Sequence, residues 1–208
     1  MKNKDNMVKR IFNSLIGSLI TAFGIACIAN SGLGCFPITA AYIGLSKVLH
    51  IPYSVISIIV ESSMLIYVCL KKEGIGISAI LATTFVSIMI DVFRFILPNS
   101  TFLILFGWMS MLGWAITATA CLGEGASQIL TRVLINKTGK SVGFIRTAIE
   151  ITFLIIALLT AREQISWMTV VLTLGTGKVL EWFYKLLKFN PANAKHDYVI
   201  KIKNKSTN

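Results

Sequence analysis

The sequence predicts an all-α polytopic membrane bundle built from two similar halves, and three observations predict it. Only 14% of the 208 residues are charged, 55% are hydrophobic and the mean hydropathy is +0.75, whereas a soluble domain carries roughly 25% charged residues. No charged side chain interrupts residues 11–46, a stretch well beyond the roughly 20 apolar residues of a spanning helix. The chain also repeats itself at an offset of 89 residues.

Six stretches have the length of full spans: 11–30, 53–70, 75–97, 102–121, 142–161 and 165–187. Basic residues (Lys2, Lys4, Lys9, Arg10) lead into the first, as in a signal peptide. Its apolar run is longer than a typical h-region and the chain beyond it is equally apolar, so it reads as an uncleaved helix. Lys71-Lys72-Glu73-Gly74 closes the second span, Pro98-Asn99-Ser100 the third and Arg162-Glu163-Gln164 the fifth, as breaker residues do. Two shorter helical stretches, 37–49 and 126–137, each come after a Gly-rich turn, Ser31-Gly32-Leu33-Gly34 and Leu122-Gly123-Glu124-Gly125. Apolar pieces of this length are more often re-entrant or interfacial than spanning.

Shifting residues 24–70 by 89 gives 11 identities in 47 columns. Apolar matches are cheap in such a composition, so the weight rests on Gly24/Gly113, Gly34/Gly123 and Glu61/Glu150. The chain is then one membrane domain, 1–208, with halves 10–98 and 101–188 and a basic cytoplasmic tail, 189–208. If the short helices are re-entrant, six spans form oppositely oriented halves, the inverted repeat of many transporters. If they cross, eight spans form parallel repeats. Basic ends and Lys71-Lys72 held inside favour the first arrangement slightly.

Glu61 and Glu150 each fall mid-span. A charge at the bilayer centre costs about 2.5–3.5 kcal/mol on insertion scales, so such a residue is a functional candidate by default. Ser57 lies one turn before Glu61, and Arg146 lies at i−4 from Glu150, placed to tune or neutralise it. The same residues would also serve simply to lock the bundle. The N-termini of the two short helices would present free backbone N–H groups toward the midplane, favouring anionic ligands. Thr39, Tyr42, Ser46 and Lys47 on the first, and Gln128 and Arg132 on the second, would stand beside them; an amphipathic helix lying flat in the interface is the other reading. The substrate-binding set expected from sequence is therefore Glu61, Glu150, Arg146, Ser57, Thr39, Gln128 and Arg132. Asp91 with Arg94, and Glu181 with Lys178 and Lys185, lie nearer span ends and read as charges that snorkel to the interface.

The net charge of +11 sits largely at the two ends. With no aromatic interleaving beyond Tyr198 it reads as positive-inside topology and attraction to anionic headgroups, not nucleic-acid binding. Cys27, Cys35, Cys69 and Cys121 lack a CxxC pair or a His partner, and His50 and His196 stand alone. No metal site, cofactor motif or catalytic set is therefore assigned, and the chain reads as no enzyme.

Gly24, Gly34 and Pro37, then Gly123, Gly125 and Ser141-Val142-Gly143-Phe144-Ile145-Arg146-Thr147-Ala148-Ile149-Glu150, resemble the YczE-like group of bacterial multipass membrane proteins, related to the YitT type. The resemblance covers residues 10–187. Members of that group often carry an Asp just after each Gly-rich turn, where this chain has Pro37-Ile38-Thr39 and Ala126-Ser127-Gln128. The resemblance implies a bacterial multipass membrane protein and no particular activity, and the basic ends place both termini on the cytoplasmic side. Together these readings lead to a small-solute transporter or permease-like protein with a polar midplane site. The alternatives are an accessory protein supporting another enzyme or complex, or the substrate-binding subunit of a multi-component importer. The expected partners are the lipid bilayer, a small-molecule substrate, and a protein partner or second copy.

Overall fold

In the computed structural model the described residues are 2–71, 73–123, 125–140, 142–189 and 198–200, and they are helical almost throughout. α1 (Lys2–Asn30), α2 (Pro37–Leu49) and α3 (Tyr53–Leu70) come first, then a two-residue strand, β1 (Ile75–Gly76). One rod comes next, made of α4 (Ile77–Leu81), a π-helical turn (Ala82–Val86) and α5 (Ser87–Ile96). α6 (Ile104–Gly107), α7 (Met109–Thr119), α8 (Ala126–Thr138), α9 (Val142–Thr160), α10 (Trp167–Leu186) and β2 (Tyr198–Ile200) complete the order.

Local chemistry sets the ends. Pro37 occupies the first turn of α2, where its missing N–H costs nothing. Gly139 takes the left-handed conformation after α8 and donates its N–H to Ile135 O. Ser166 starts α10 with a capping box, its Oγ accepting from Met168 N–H while Thr169 Oγ1 accepts from Ser166 N–H. The short helix and second span predicted for residues 37–49 and 53–70 match α2 and α3 to the residue. The third span begins two residues later than predicted, because Ile75–Gly76 pairs antiparallel with Tyr198–Ile200.

Where the sequence predicts six spans, four described helical stretches are long and apolar enough to cross a membrane: Met7–Asn30, Tyr53–Leu70, Ile77–Ile96 and Thr101–Thr119. Pro37–Leu49, Ala148–Thr160 and Trp167–Thr176 are shorter apolar helices. Large apolar side chains such as Phe95, Leu105, Leu159 and Leu174 cover the outside of the bundle, a surface suited to lipid tails and unlike that of a soluble monomer.

The centre of the bundle is the crossing of α1 and α7. A Cβ added at Gly17 would overlap Thr117, one at Gly113 would overlap Thr21, one at Gly24 would overlap Ser110, and one at Gly107 would overlap Ile28. Positions rise along α1 as they fall along α7, so the two helices run antiparallel. Thr21, Ser110 and Thr117 bond back to carbonyls three or four residues earlier, at Gly17, Gly107 and Gly113, so these three hydroxyls stay satisfied at the close approach.

Turns gather in two groups. In one, Asn30 Nδ2 donates to the carbonyls of Arg94 (2.9 Å) and Leu97 (3.0 Å), Ser100 N–H donates to Asn30 O, and Cys35 N–H donates to Gln164 O. Ser166 Oγ bonds Leu33 O there, and Lys47 pairs with Glu163. In the other, Arg10 donates to the carbonyls of Ala120 (2.7 Å) and Cys121 (2.8 Å), Ser78 N–H donates to Leu122 O, and Asn136 reaches Glu73. α2 begins and ends in the first group, since Cys35 and Lys47 flank it; α8 ends in the second. Between them α2 packs on α3 and α9, and α8 also packs on α3 and α9.

Candidate functional site

The α3 helix carries Glu61 at its middle, and the rod beside it supplies the partner. At Ala82–Val86 the rod widens into a π turn, a local irregularity frequent at functional sites. That turn holds Thr83, 2% exposed, against α3, where its Oγ1 donates to Glu61 Oε2 at 3.1 Å. A carboxylate among apolar side chains needs such a donor to offset lost hydration. One hydroxyl fills one of about four lone-pair positions on an ionised carboxyl.

Inward of Glu61 lies an aromatic cluster. Tyr42 of α2 meets Tyr53 of α3 and Phe153 of α9 edge-on, both at 5.8 Å between centroids. Thr39 lies close to Tyr53, and Glu61 lies within electrostatic reach of both tyrosines. The Arg94 guanidinium sits 5.8 Å over the Tyr53 ring. Among the described residues Tyr42 Oη has no hydrogen-bond partner although Tyr42 is 2% exposed, which is costly unless something reaches it.

The residues assigned from sequence divide. Glu61 meets Thr83, while Thr39 is buried on α2 near Tyr53, two turns before Glu61 on α3. Ser57 is buried but donates to Ser54 O of its own helix (3.1 Å), so it does not point its hydroxyl at Glu61. Gln128 accepts from Ser127 Oγ (3.1 Å) beside Gly125, at the start of α8. Arg132 is half-buried on α8, and Glu150 half-buried on α9. The Arg146 side chain lies outside the described residues, and so does most of the expected tail. α2 and α8 each pack against both α3 and α9, and the described hydrogen-bond partner of Glu61 is Thr83.

Asp91 and Arg94 correct an expectation. Rather than reaching outward to the interface, Asp91 Oδ2 accepts the Ser54 N–H at 2.8 Å, capping the start of α3. Arg94 turns onto Tyr53 beside it. Glu181 behaves as expected, in an exposed pair with Lys185 at 2.9 Å. Thr83 and Tyr53 were missed as site residues. The adjacent threonines inside an apolar run were a faint signal, but no local pattern announces a π turn.

The fold and this site define an all-α protein of membrane type, with a carboxylate held inside the bundle by a hydroxyl. Residues 8–193 match the model of a family of unknown function, DUF6198, and the chain belongs to that family. No curated protein and no solved structure matches it. The family description names neither the YczE nor the YitT group, so that resemblance stays an expectation resting on the residues that carry it.

Proposed function

We propose that this chain is a small-solute transporter of permease type, with Glu61 as the ionisable group of its site. The observation that carries the reading is the Glu61–Thr83 pair, within electrostatic reach of a buried Tyr42 hydroxyl that has no hydrogen-bond partner among the described residues. Charges inside membrane helices face interiors or pathways, and they are retained there at a cost.

Packing supports the two-halved organisation behind this proposal. Gly24 meets Ser110 while Gly113 meets Thr21, and each partner is its counterpart's equivalent at the 89-residue offset. That reciprocity is what a two-fold relation between halves produces. Gly34 and Gly123, also equivalent, both have positive φ (100° and 108°). The antiparallel run of α1 and α7 favours oppositely oriented halves with α2 and α8 re-entrant, hence six spans. The positive-inside rule then places Arg10, Lys71 and Lys137 in the cytoplasm. The carboxylate site so far concerns the first half; Glu150 would be its counterpart in the second.

Proteoliposomes containing the protein, challenged with a panel of labelled amines, amino acids, carboxylates and sugars, test the proposal. Flux of at least one solute class is expected with wild-type protein, falling to the empty-liposome level with Glu61→Gln. No flux of any class, together with a protein that co-purifies in equal amount, would reject transport in favour of the accessory reading.

A further inference from the structure

A groove of about 460 Å³ runs along α3 beside Glu61. Its α3 wall is a single helical stripe, Ser62, Leu65, Ile66 and Cys69, and its other wall includes Ile80 and Thr83. Spacings of three and four residues keep such a stripe on one face. From Ser62 to Leu70 the helix rises roughly 12 Å, so the groove is long and narrow. Its wall is overwhelmingly apolar, and its mouth is flanked by exposed Ile66 and Ile80, side chains that face lipid in a membrane bundle.

The polar end is what distinguishes this groove from a gap between helices. Thr83 belongs both to the groove wall and to the Glu61 hydrogen bond. The carboxylate therefore sits one side chain behind the groove's end. No described cation neutralises it. Arg94 is directed to Tyr53, one turn from Asp91, whose charge opposes its own. At the other end of α3, Lys71 lies over the Tyr67 ring.

We propose that the solute handled at Glu61 is an amphipathic organic cation, an amine whose apolar tail lies in this groove and whose ammonium group meets the Glu61 carboxylate. The inference rests on the transport reading above and names its substrate class. Charge complementarity selects the cation, because an anionic or zwitterionic head would bring a second negative group to an unneutralised carboxylate. An organic ammonium fits better than a bare metal ion, since hard divalent cations take six or more oxygens. Here the walls are aliphatic with a few hydroxyls and a single carboxylate lies behind Thr83, a setting that offers an organic ammonium an apolar bed and one opposite charge.

Three probes of one shape decide it: 4-phenylbutylamine, 4-phenylbutanol and 4-phenylbutyrate, titrated calorimetrically into nanodiscs with and without the full-length protein. Saturable binding of the amine is expected, with the alcohol and carboxylate weaker by about tenfold or more. Glu61→Gln should weaken the amine about tenfold and leave the alcohol unchanged. Leu65→Trp, which fills the groove, should weaken amine and alcohol alike, and it carries the decision if Glu61→Gln does not elute as a folded species. Equal binding of all three probes would mean a groove for lipid chains and would overturn the assignment, as would unchanged amine affinity in both variants. Amine binding without flux would leave this site standing and remove transport. Flux of a carboxylate or sugar without amine binding would do the reverse.

Discussion

Glu61 was visible in the sequence because a lone acid in an apolar run is conspicuous, whereas its partner was not. Thr83 looks like any hydroxyl in a hydrophobic helix, and only the extra residue of the π turn aims it across to α3. Thr83→Val should destabilise the protein by about 1–3 kcal/mol, the cost of leaving a buried acceptor without its donor. A thermal-unfolding double-mutant cycle with Glu61→Gln should return a coupling energy; additive effects would show that the two groups act independently. Lys47 and Glu163 make the opposite case, an exposed pair. The hydrogen bond from Lys47 holds the Glu163 carboxyl below its usual range. A depressed carboxylate stabilises above its unfolded pKa and loses that contribution as pH falls through its folded value. Exposure screens the pair, so Glu163→Gln should cost at most about 0.5 kcal/mol at neutral pH. A melting curve at pH 7 checks this, and a loss of several degrees would contradict it.

Elements were more legible than their contacts. Apolar length and Gly or Pro punctuation located α2 and α3 to the residue, because chain breakers act locally. The strand pair formed by Ile75–Gly76 and Tyr198–Ile200 was illegible, since it joins segments more than a hundred residues apart and each is too short to carry a period. Asp91 and Arg94 were misjudged for a related reason. Position near a helix end suggested solvent, but the packed start of α3 lies there instead. The α1–α7 crossing sits between these cases: the expected repeat drew attention to Gly24 and Gly113, and their close contacts with Ser110 and Thr21 supply the physical reason for glycine there. Gly24→Val or Gly113→Val should push the helices apart and cost roughly 1–3 kcal/mol or more, as overpacking does. Leu19→Ala, on the exposed side of α1, should be near neutral. Comparable destabilisation by all three, read from unfolding in nanodiscs, would refute a close-packed crossing.

At the scale of the whole molecule, composition alone declared a membrane protein, because too few charges remain to cover a soluble surface. The number of spans was left open by the sequence, since a 13-residue helix such as α2 is read equally well as crossing or returning. The six-span proposal leans on the direction of α1 against α7, a relation between distant elements that no local window contains. In the proposed arrangement the two halves face opposite ways about the Glu61 site. The most direct measurement is side-specific thiol labelling of single cysteines at Lys47, Lys71 and Arg162, placed in a chain otherwise free of cysteine, in intact cells with a membrane-impermeant maleimide. Oppositely oriented halves predict labelling at positions 47 and 162 from outside, and at position 71 only after the membrane is opened. Labelling of 71 and 162 from outside, with 47 protected, would contradict this arrangement and return the chain to eight spans in parallel repeats.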